Sequence, residues 1–439
     1  MVQTILIIVV FLGLSALVIA KKIPLFLSML LLTILTLVIA GVPMMAKNAD
    51  GVNIGWLHTI IEAGSTRMAA GIMAAIFGAW LGALMNKSGV TQAIIKKSAE
   101  LGGDRKLVVS LIIAAAISVL FTTLSGLGSV IMVGSIALPI LLSVGVPPLT
   151  AAAILLMSCN VGLSFSMANW VTFSAIFSVD VSVIRGFMIY MLPVTALATL
   201  VFILIQTKRD GKRFAFSAPV EPAKTEEVDD DVREVKGITG ILAVISPLIP
   251  ILLVVTLSVP VIPAFICGVV WLTIFSAKSL VKAFNMLFKT FLDGLNAVAP
   301  AVLLMIILGM MFLAVTHPTV KAILDPQLVK VVPTNRIVYI ILFSLIAPLT
   351  LYRGPMNLFG FGSGLAAIII GLGTINPLAV MGAFISAERF QGAGCPTNTQ
   401  NVWTASFVKV EVNTITMMLF PYLWAVSIIG VIISGIIYF

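Results

Sequence analysis

The sequence predicts an all-α polytopic membrane protein made of two inverted repeats, each with five spans, a re-entrant hairpin and a broken helix. Three observations carry this. First, 60% of the 439 residues are hydrophobic and only 10% are charged, with a mean hydropathy of +1.18. No soluble globular domain has such a composition. Second, one interrupted apolar stretch occurs twice. Residues 121–135 (FTTLSGLGSVIMVGS) align without a gap on residues 349–363 (LTLYRGPMNLFGFGS), pairing Thr122 with Thr350, Gly126 with Gly354 and Ser129 with Asn357. Third, an odd number of crossings per copy forces the two copies into opposite orientations, and the basic residues agree with that inversion.

In chain order, residues 4–20 and 24–40 are two spans joined by Lys21-Lys22. No basic region precedes the first and no small-residue cleavage site follows it, so it reads as a retained span rather than a signal peptide. A polar segment and an amphipathic piece ending in Glu62 and Arg67 lead to a third span, 68–84. The linker 86–106 holds a short surface helix. The first hairpin runs from 107 to 145 and turns at Ser125–Ser129. A helix from Pro148 to Met157 then breaks across SCNVGLSFS and resumes over 167–177, and the span 187–205 closes the half.

Residues 208–237 are polar and carry charges of both signs, which argues for a connector without a core. They separate a first membrane repeat, 1–207, from a second, 238–439. The second half has spans at 238–257 and 261–275, a basic amphipathic stretch at 278–289 and a span at 296–315. The second hairpin follows, its arms 337–348 and 365–372 each too short to cross comfortably. Next come 378–390, a break at QGAGCPTNTQ, a helix resuming near Asn401 and a last span from Thr414. The alignment continues through these parts: Pro148 pairs with Pro377, the 158–160 segment with 387–389, and Asn169 with Asn398.

With both termini outside, eighteen of the 26 Lys and Arg residues fall on cytoplasmic segments, the connector included. Five fall outside and three (Arg67, Arg353 and Arg389) within the membrane. This is the positive-inside distribution. It also explains the net charge of +9 without a nucleic-acid partner. Cys159, Cys267 and Cys395 match no metal-ligand spacing and read as small buried hydrophobes.

Broken helices inside a membrane are tolerated only where protein or a cavity covers them. Two of them meeting from inverted repeats is the pattern of secondary transporters. Such breaks offer N–H groups to an anion and carbonyls to a cation. Candidate lining residues are Thr122, Ser125 and Ser129 at the first tip, with Asn160, Ser166 and Asn169 at its break. The second half adds Thr350, Arg353, Asn357, Thr397, Asn398 and Thr399. For the hydroxyls, helix packing is the competing reading. Arg353 is informative because its repeat mate, Ser125, is uncharged, and a planar guanidinium suits a carboxylate. Its competing role is an ion pair with Glu388 that holds the hairpin. Glu388 is the candidate coupling residue, as a carboxyl that can carry a proton; structural pairing with Arg353 or Arg67 is the alternative. Asparagines and carbonyls would equally suit Na⁺. No metal or other cofactor is expected.

The repeat plan, and the run GALMNKSGVTQAI at 82–94, resemble the ion transporter superfamily, notably its gluconate and citrate branches. The divalent-anion branch carries Ser-Asn-Thr at its tips, where this chain has SGLGS and RGPMN. The resemblance implies a cation-coupled symporter, driven by H⁺ or Na⁺, for a small organic anion such as citrate, gluconate or a dicarboxylate. It further implies a homodimer in a bacterial inner membrane, working by an elevator motion. A cation/proton antiporter is the alternative, with Glu388 exchanging and Arg353 structural. An enzyme is not expected, since no HExxH, paired intramembrane aspartates or Ser/His arrangement is present.

Overall fold

The computed structural model describes residues 2–20, 22–47, 49–103, 105–209, 237–328 and 332–439. All but the ends of the connector read at 208–237 lies outside the described residues. The first half contains α1 (Val2–Ile19), α2 (Leu25–Ile39), α3 (Ala63–Arg67), α4 (Ala69–Lys87), α5 (Val90–Gly102), α6 (Lys106–Leu120), α7 (Gly126–Ser143), α8 (Pro148–Ser164), α9 (Met167–Phe177) and α10 (Val181–Arg209). The second contains α11 (Gly237–Val244), α12 (Leu248–Leu257), α13 (Val261–Ser276), α14 (Leu280–Thr316), α15 (Pro318–Leu328), α16 (Arg336–Ile346), α17 (Gly362–Leu372), α18 (Pro377–Gly394), α19 (Thr399–Phe407) and α20 (Val412–Tyr438). The second half repeats the first, with α11 and α12 standing for α1, and α14 standing for α3 and α4.

The packing repeats too. α2 packs on α14 as α13 packs on α4, and α7 packs on α19 as α17 packs on α9. Three pairs of repeat mates touch one another: α4 with α14, α8 with α18, and α10 with α20. Their direction is readable from single contacts. A Cβ on Gly64, at the start of α3–α4, would meet Met310 near the end of α14. One on Gly294, early in α14, would meet Ala79 and Trp80 late in α4. Likewise Phe187 stacks near Tyr438 at 6.1 Å and Phe202 near Tyr422 at 5.2 Å. Mates that run antiparallel make the repeats inverted. Small residues at the crossing let the backbones approach, which drives helix association where lipid is as apolar as leucine.

α16 has 11 residues and runs on as a 3-10 helix over Ala347–Arg353, while α17 has 11 residues, about 16 Å of helix against a hydrocarbon core of about 30 Å. The two tips differ, however. α7 begins at Gly126 with φ +80°, whereas the aligned residues 354–361 are not helical and α17 starts only at Gly362.

Five readings of the sequence need correction. The first break is confined to Phe165 and Ser166, with α8 and α9 bent by 64°, because α8 continues past Met157 to Ser164. Ser158 and Ser164 donate to carbonyls four residues back (2.6 and 3.0 Å) and so sit within a helix without disturbing it. The second break is likewise shorter, 395–398, and α19 begins at Thr399 rather than near Asn401. The span read at 238–257 is two helices bent by 56°, since Pro247 has no N–H with which to continue α11. The stretch 278–289 and the span 296–315 are one 37-residue helix, α14; its apolar face runs through without a stop signal, and Pro300 does not end it. Cys159 and Cys395 are buried as expected, but Cys267 is exposed on α13.

A Cβ at Gly309 would run into the carbonyl of Gly64, whereas one at Gly13 meets nothing within 4 Å. Gly309→Ala should therefore destabilise the protein by about 1–3 kcal/mol through overpacking. Gly13→Ala should be neutral or slightly stabilising. Thermal unfolding of the two purified variants in detergent checks the contrast.

Candidate functional site

The site is built where α8 crosses α18. α18 opens on Pro377, with the Asn376 side chain accepting from the Leu378 N–H at 3.0 Å. It is then buried on every side from Ala379 to Gln391. Two charges lie inside that stretch: Glu388 is 3% exposed and Arg389 2%. Being adjacent, they diverge. Arg389 Nη1 donates to Ser164 Oγ on α8 at 3.1 Å. Asn160 Nδ2, also on α8, donates to the Arg389 carbonyl at 2.7 Å. Asn160 and Arg389 are repeat mates, so the pseudo-twofold axis passes between them. Glu388 turns the other way, to the second hairpin, where the backbone N–H of Leu358 meets its carboxylate.

The ends of the half-helices are closed by side chains. Asn398 Nδ2 donates to the carbonyls of Gln391 (3.1 Å) and Gly392 (3.5 Å), while its Oδ1 accepts from Gln391 Nε2 at 2.7 Å. Asn401 Nδ2 donates to Ala393 (2.8 Å) and Cys395 (3.0 Å), and Thr416 Oγ1 to Gly394 (2.8 Å). At the first break Asn169 Nδ2 donates to the Leu163 carbonyl (3.3 Å) and Trp170 Nε1 to that of Ser164 (3.1 Å). The mates Asn169 and Asn398 thus do the same work, covering terminal carbonyls that no water in hydrocarbon would reach.

The second tip is a tight coil around Asn357. Its Nδ2 donates to the Thr350 carbonyl at 3.0 Å, and its own carbonyl accepts from the N–H groups of Gly360 and Gly362 at 3.0 and 2.9 Å. Tyr352 and Arg353 are both left-handed, with φ of 54° and 63°. That conformation is uncommon for residues with a side chain, and such strain concentrates at functional sites. Arg353 is half-buried and spends Nη1 on a long contact, 3.4 Å, with the Phe359 carbonyl. It lies near enough to Glu388 for their charges to interact, yet no salt bridge joins Glu388 to Arg353 or to Arg389. The ion pair considered as the competing role of Arg353 is not formed.

These segments carry buried polar atoms without a hydrogen-bond partner: Asn160 Oδ1, Thr350 Oγ1, Asn357 Oδ1, Glu388 Oε2, Arg389 Nε and Asn401 Oδ1. Each costs about 1–3 kcal/mol. Three of them belong to the crossing of α8 and α18, two to the second tip and one to α19.

The first tip is not joined to this cluster by hydrogen bonds. Thr122 Oγ1 and Ser129 Oγ bond the carbonyls of Val119 (2.6 Å) and Ser125 (2.9 Å), and the Ser125 side chain does not cap α7. The tip is nonetheless close, because Gly162 on α8 packs against Phe121. Ser166 is buried at the first break, Thr397 contacts Cys395 Sγ at 3.0 Å, and Thr399 is exposed at the start of α19. Ser164, Arg389, Gln391 and Asn401 were not among the residues expected to line the site. For Arg389 the signal was present, since the alignment pairs it with Asn160. No group of His, Cys, Asp and Glu side chains able to hold a metal ion occurs among the described residues.

Asn398→Ala removes both the acceptor of Gln391 Nε2 and the cover over the α18 carbonyls. It should cost about 1–3 kcal/mol, while Thr399→Ala should leave the unfolding midpoint unchanged. Thermal unfolding with each variant reads the difference.

No protein-family model matches the chain, and no curated protein matches its sequence. Solved structures share its fold. The YdaH transporter of Alcanivorax borkumensis, described as having an unusual topology, is 15% identical. The alignment covers 94% of this chain and 97% of that one, with a TM-score of 0.63. MtrF of Neisseria gonorrhoeae, described as illuminating a class of antimetabolite efflux pumps, is 14% identical over 94% of each chain, with a TM-score of 0.61. The chain has the fold of these membrane transporters.

Proposed function

We propose that the protein is a secondary active transporter, a symporter driven by H⁺ or Na⁺ for a small organic anion of the carboxylate class, such as citrate, gluconate or a dicarboxylate. The observation that carries this reading is the set of unpartnered buried polar atoms, among the described residues, on α8, α18, α19 and the second tip. The crossing of α8 and α18 lies on the pseudo-twofold axis, where one site can face either side of the membrane in turn. The fold shared with two transporters, one of them described as illuminating a class of antimetabolite efflux pumps, supports the transport part of this reading. Membership of the ion transporter superfamily, an elevator motion and a homodimer belong to the same proposal.

In this reading Arg353 binds the substrate carboxylate. Only one of its N–H groups has a partner, and that contact is long. It is also more accessible than Arg389, which is sealed against Ser164. Glu388 carries the coupling proton, or joins the oxygens of Asn160, Thr350 and Asn357 in attracting a sodium ion. A second reading, a cation/proton antiporter, is favoured by Glu388 itself, a buried carboxyl without a salt bridge.

Uptake of labelled carboxylates into proteoliposomes, under imposed H⁺ and Na⁺ gradients in turn, tests the reading. Arg353→Lys keeps the charge but loses the fork. It should weaken substrate binding by about tenfold to a hundredfold, the equivalent of a charge-assisted hydrogen bond. Glu388→Gln should abolish pH-driven uptake while preserving substrate exchange. Unchanged binding by Arg353→Lys would put the antiporter ahead.

The proposed orientation, with the connector cytoplasmic and the chain in a bacterial inner membrane, has its own test. Lys47 and Lys409 are exposed on opposite sides in this arrangement. In a background lacking the three native cysteines, Lys47→Cys should react with an impermeant thiol reagent added outside cells. Lys409→Cys should react only after permeabilisation.

A further inference from the structure

A cavity lined by no residue of α8 or α18 plays no part in the proposed transport cycle. It has a volume of about 470 Å³, within the range of small-molecule sites and far above the voids that close-packed interiors leave. Five helices line it as an open cleft: α4 early in its course, the middle of α9, the start of α10, the end of α12 and the start of α13. The first repeat supplies one wall and the second the other.

The lining is graded. Ala70, Ala74 and Val171 form an apolar end within the membrane-embedded part of α4 and α9. Pro260 and Pro263 stiffen the opposite wall, where the chain turns into α13. The polar end holds Asp180 and Arg185. Asp180 is already engaged: the Ser182 side chain and its N–H, which donates to Oδ1 at 2.7 Å, hold its carboxyl below the usual carboxylate range. Arg185 is half-buried and donates from Nη1 to the Val254 carbonyl of α12 at 3.2 Å. Among the described residues its remaining donors have no hydrogen-bond partner, although the charge of Asp180 acts on it.

We infer that this cavity binds a single-chain amphiphile bearing an anionic head, a carboxylate or phosphate, with the head on Arg185 and the apolar body between Ala70, Ala74 and Val171. The chemistry follows from the gradient. A guanidinium with spare donors recognises an oxyanion in bidentate fashion. An alanine-lined cleft leaves width for a chain and offers its far end nothing polar. Because the walls come from both repeats, the occupant bridges them. The ligand has two sources, the bilayer's own anionic lipid or a free alkyl carboxylate.

The test is photo-crosslinking of the purified full-length chain, in nanodiscs of zwitterionic lipid, with a diazirine-bearing decanoate. The expected result is an adduct on the peptides carrying Ala74 or Ile262, competed by decanoate at concentrations at least tenfold lower than by decanol. Arg185→Gln should reduce the adduct at least tenfold. Ala74→Trp, which fills the apolar end and leaves Arg185 in place, should abolish it. Equal competition by decanoate and decanol overturns the inference, as does undiminished labelling in the variants. If loss of the Val254 contact prevents Arg185→Gln from folding, Ala74→Trp and the competition in the parent protein decide. Adding phosphatidylglycerol to the nanodiscs separates the sources. Loss of labelling assigns the site to bilayer lipid, and retention assigns it to a free carboxylate; either supports the site.

Discussion

A backbone carbonyl in hydrocarbon has no water to bond, and this constraint organises the molecule. Each repeat interrupts a helix at depth, and each interruption frees carbonyls that must be covered. The chain covers them with its own amides. Asn169 reaches back to Leu163, while Asn398 and Asn401 together reach Gln391, Gly392, Ala393 and Cys395. These bonds are what allow α8 and α18 to end inside the protein. They also leave an asymmetry. The asparagine amides spend donors on backbone carbonyls, while oxygens of Asn160, Asn357 and Asn401 have no partner among the described residues.

The two breaks lie together because the repeats interlock. Gly64 and Gly309 on one side of the crossing, and Gly294 on the other, bring α4 and α14 into backbone contact. That antiparallel pair fixes the pseudo-twofold axis. Along the same axis α8 meets α18, so that Asn160 of one repeat bonds the backbone of its own mate, Arg389. A symmetric scaffold therefore delivers an asymmetric site. The mates there are an amide and a guanidinium, and the charge of Glu388 has no equivalent in Cys159.

The hairpins show how far the copies have diverged. The first tip keeps its helix from Gly126 and satisfies Thr122 and Ser129 on its own backbone. The second gives up the equivalent helical turns to wrap around Asn357, which holds Arg353 in a left-handed conformation and lets Leu358 reach Glu388. Strain and unpartnered polar atoms collect in the second tip, while the first remains conventional. Arg353, read from the sequence as the departure from symmetry, lies in that strained tip.

The sequence by itself determined the class, the two-copy plan, the inversion and the stretches that turn back in the membrane. These follow from local quantities: apolar length against bilayer thickness, glycine and proline in apolar runs, the parity of crossings and the side on which lysines collect. It did not determine where α8 stops, because serines that look like breakers bond the preceding turn instead. Nor could it separate α11 from α12, or see that α14 runs on through a basic stretch, since propensity near a proline or an amphipathic end is overruled by packing. The partners of the charged residues belonged to the tertiary structure altogether. Asn160 and Arg389 are 229 residues apart in sequence. Adjacent Glu388 and Arg389 look like a pair on paper, yet one helix turns them toward different repeats, and only the crossing of α8 and α18 decides what each one meets.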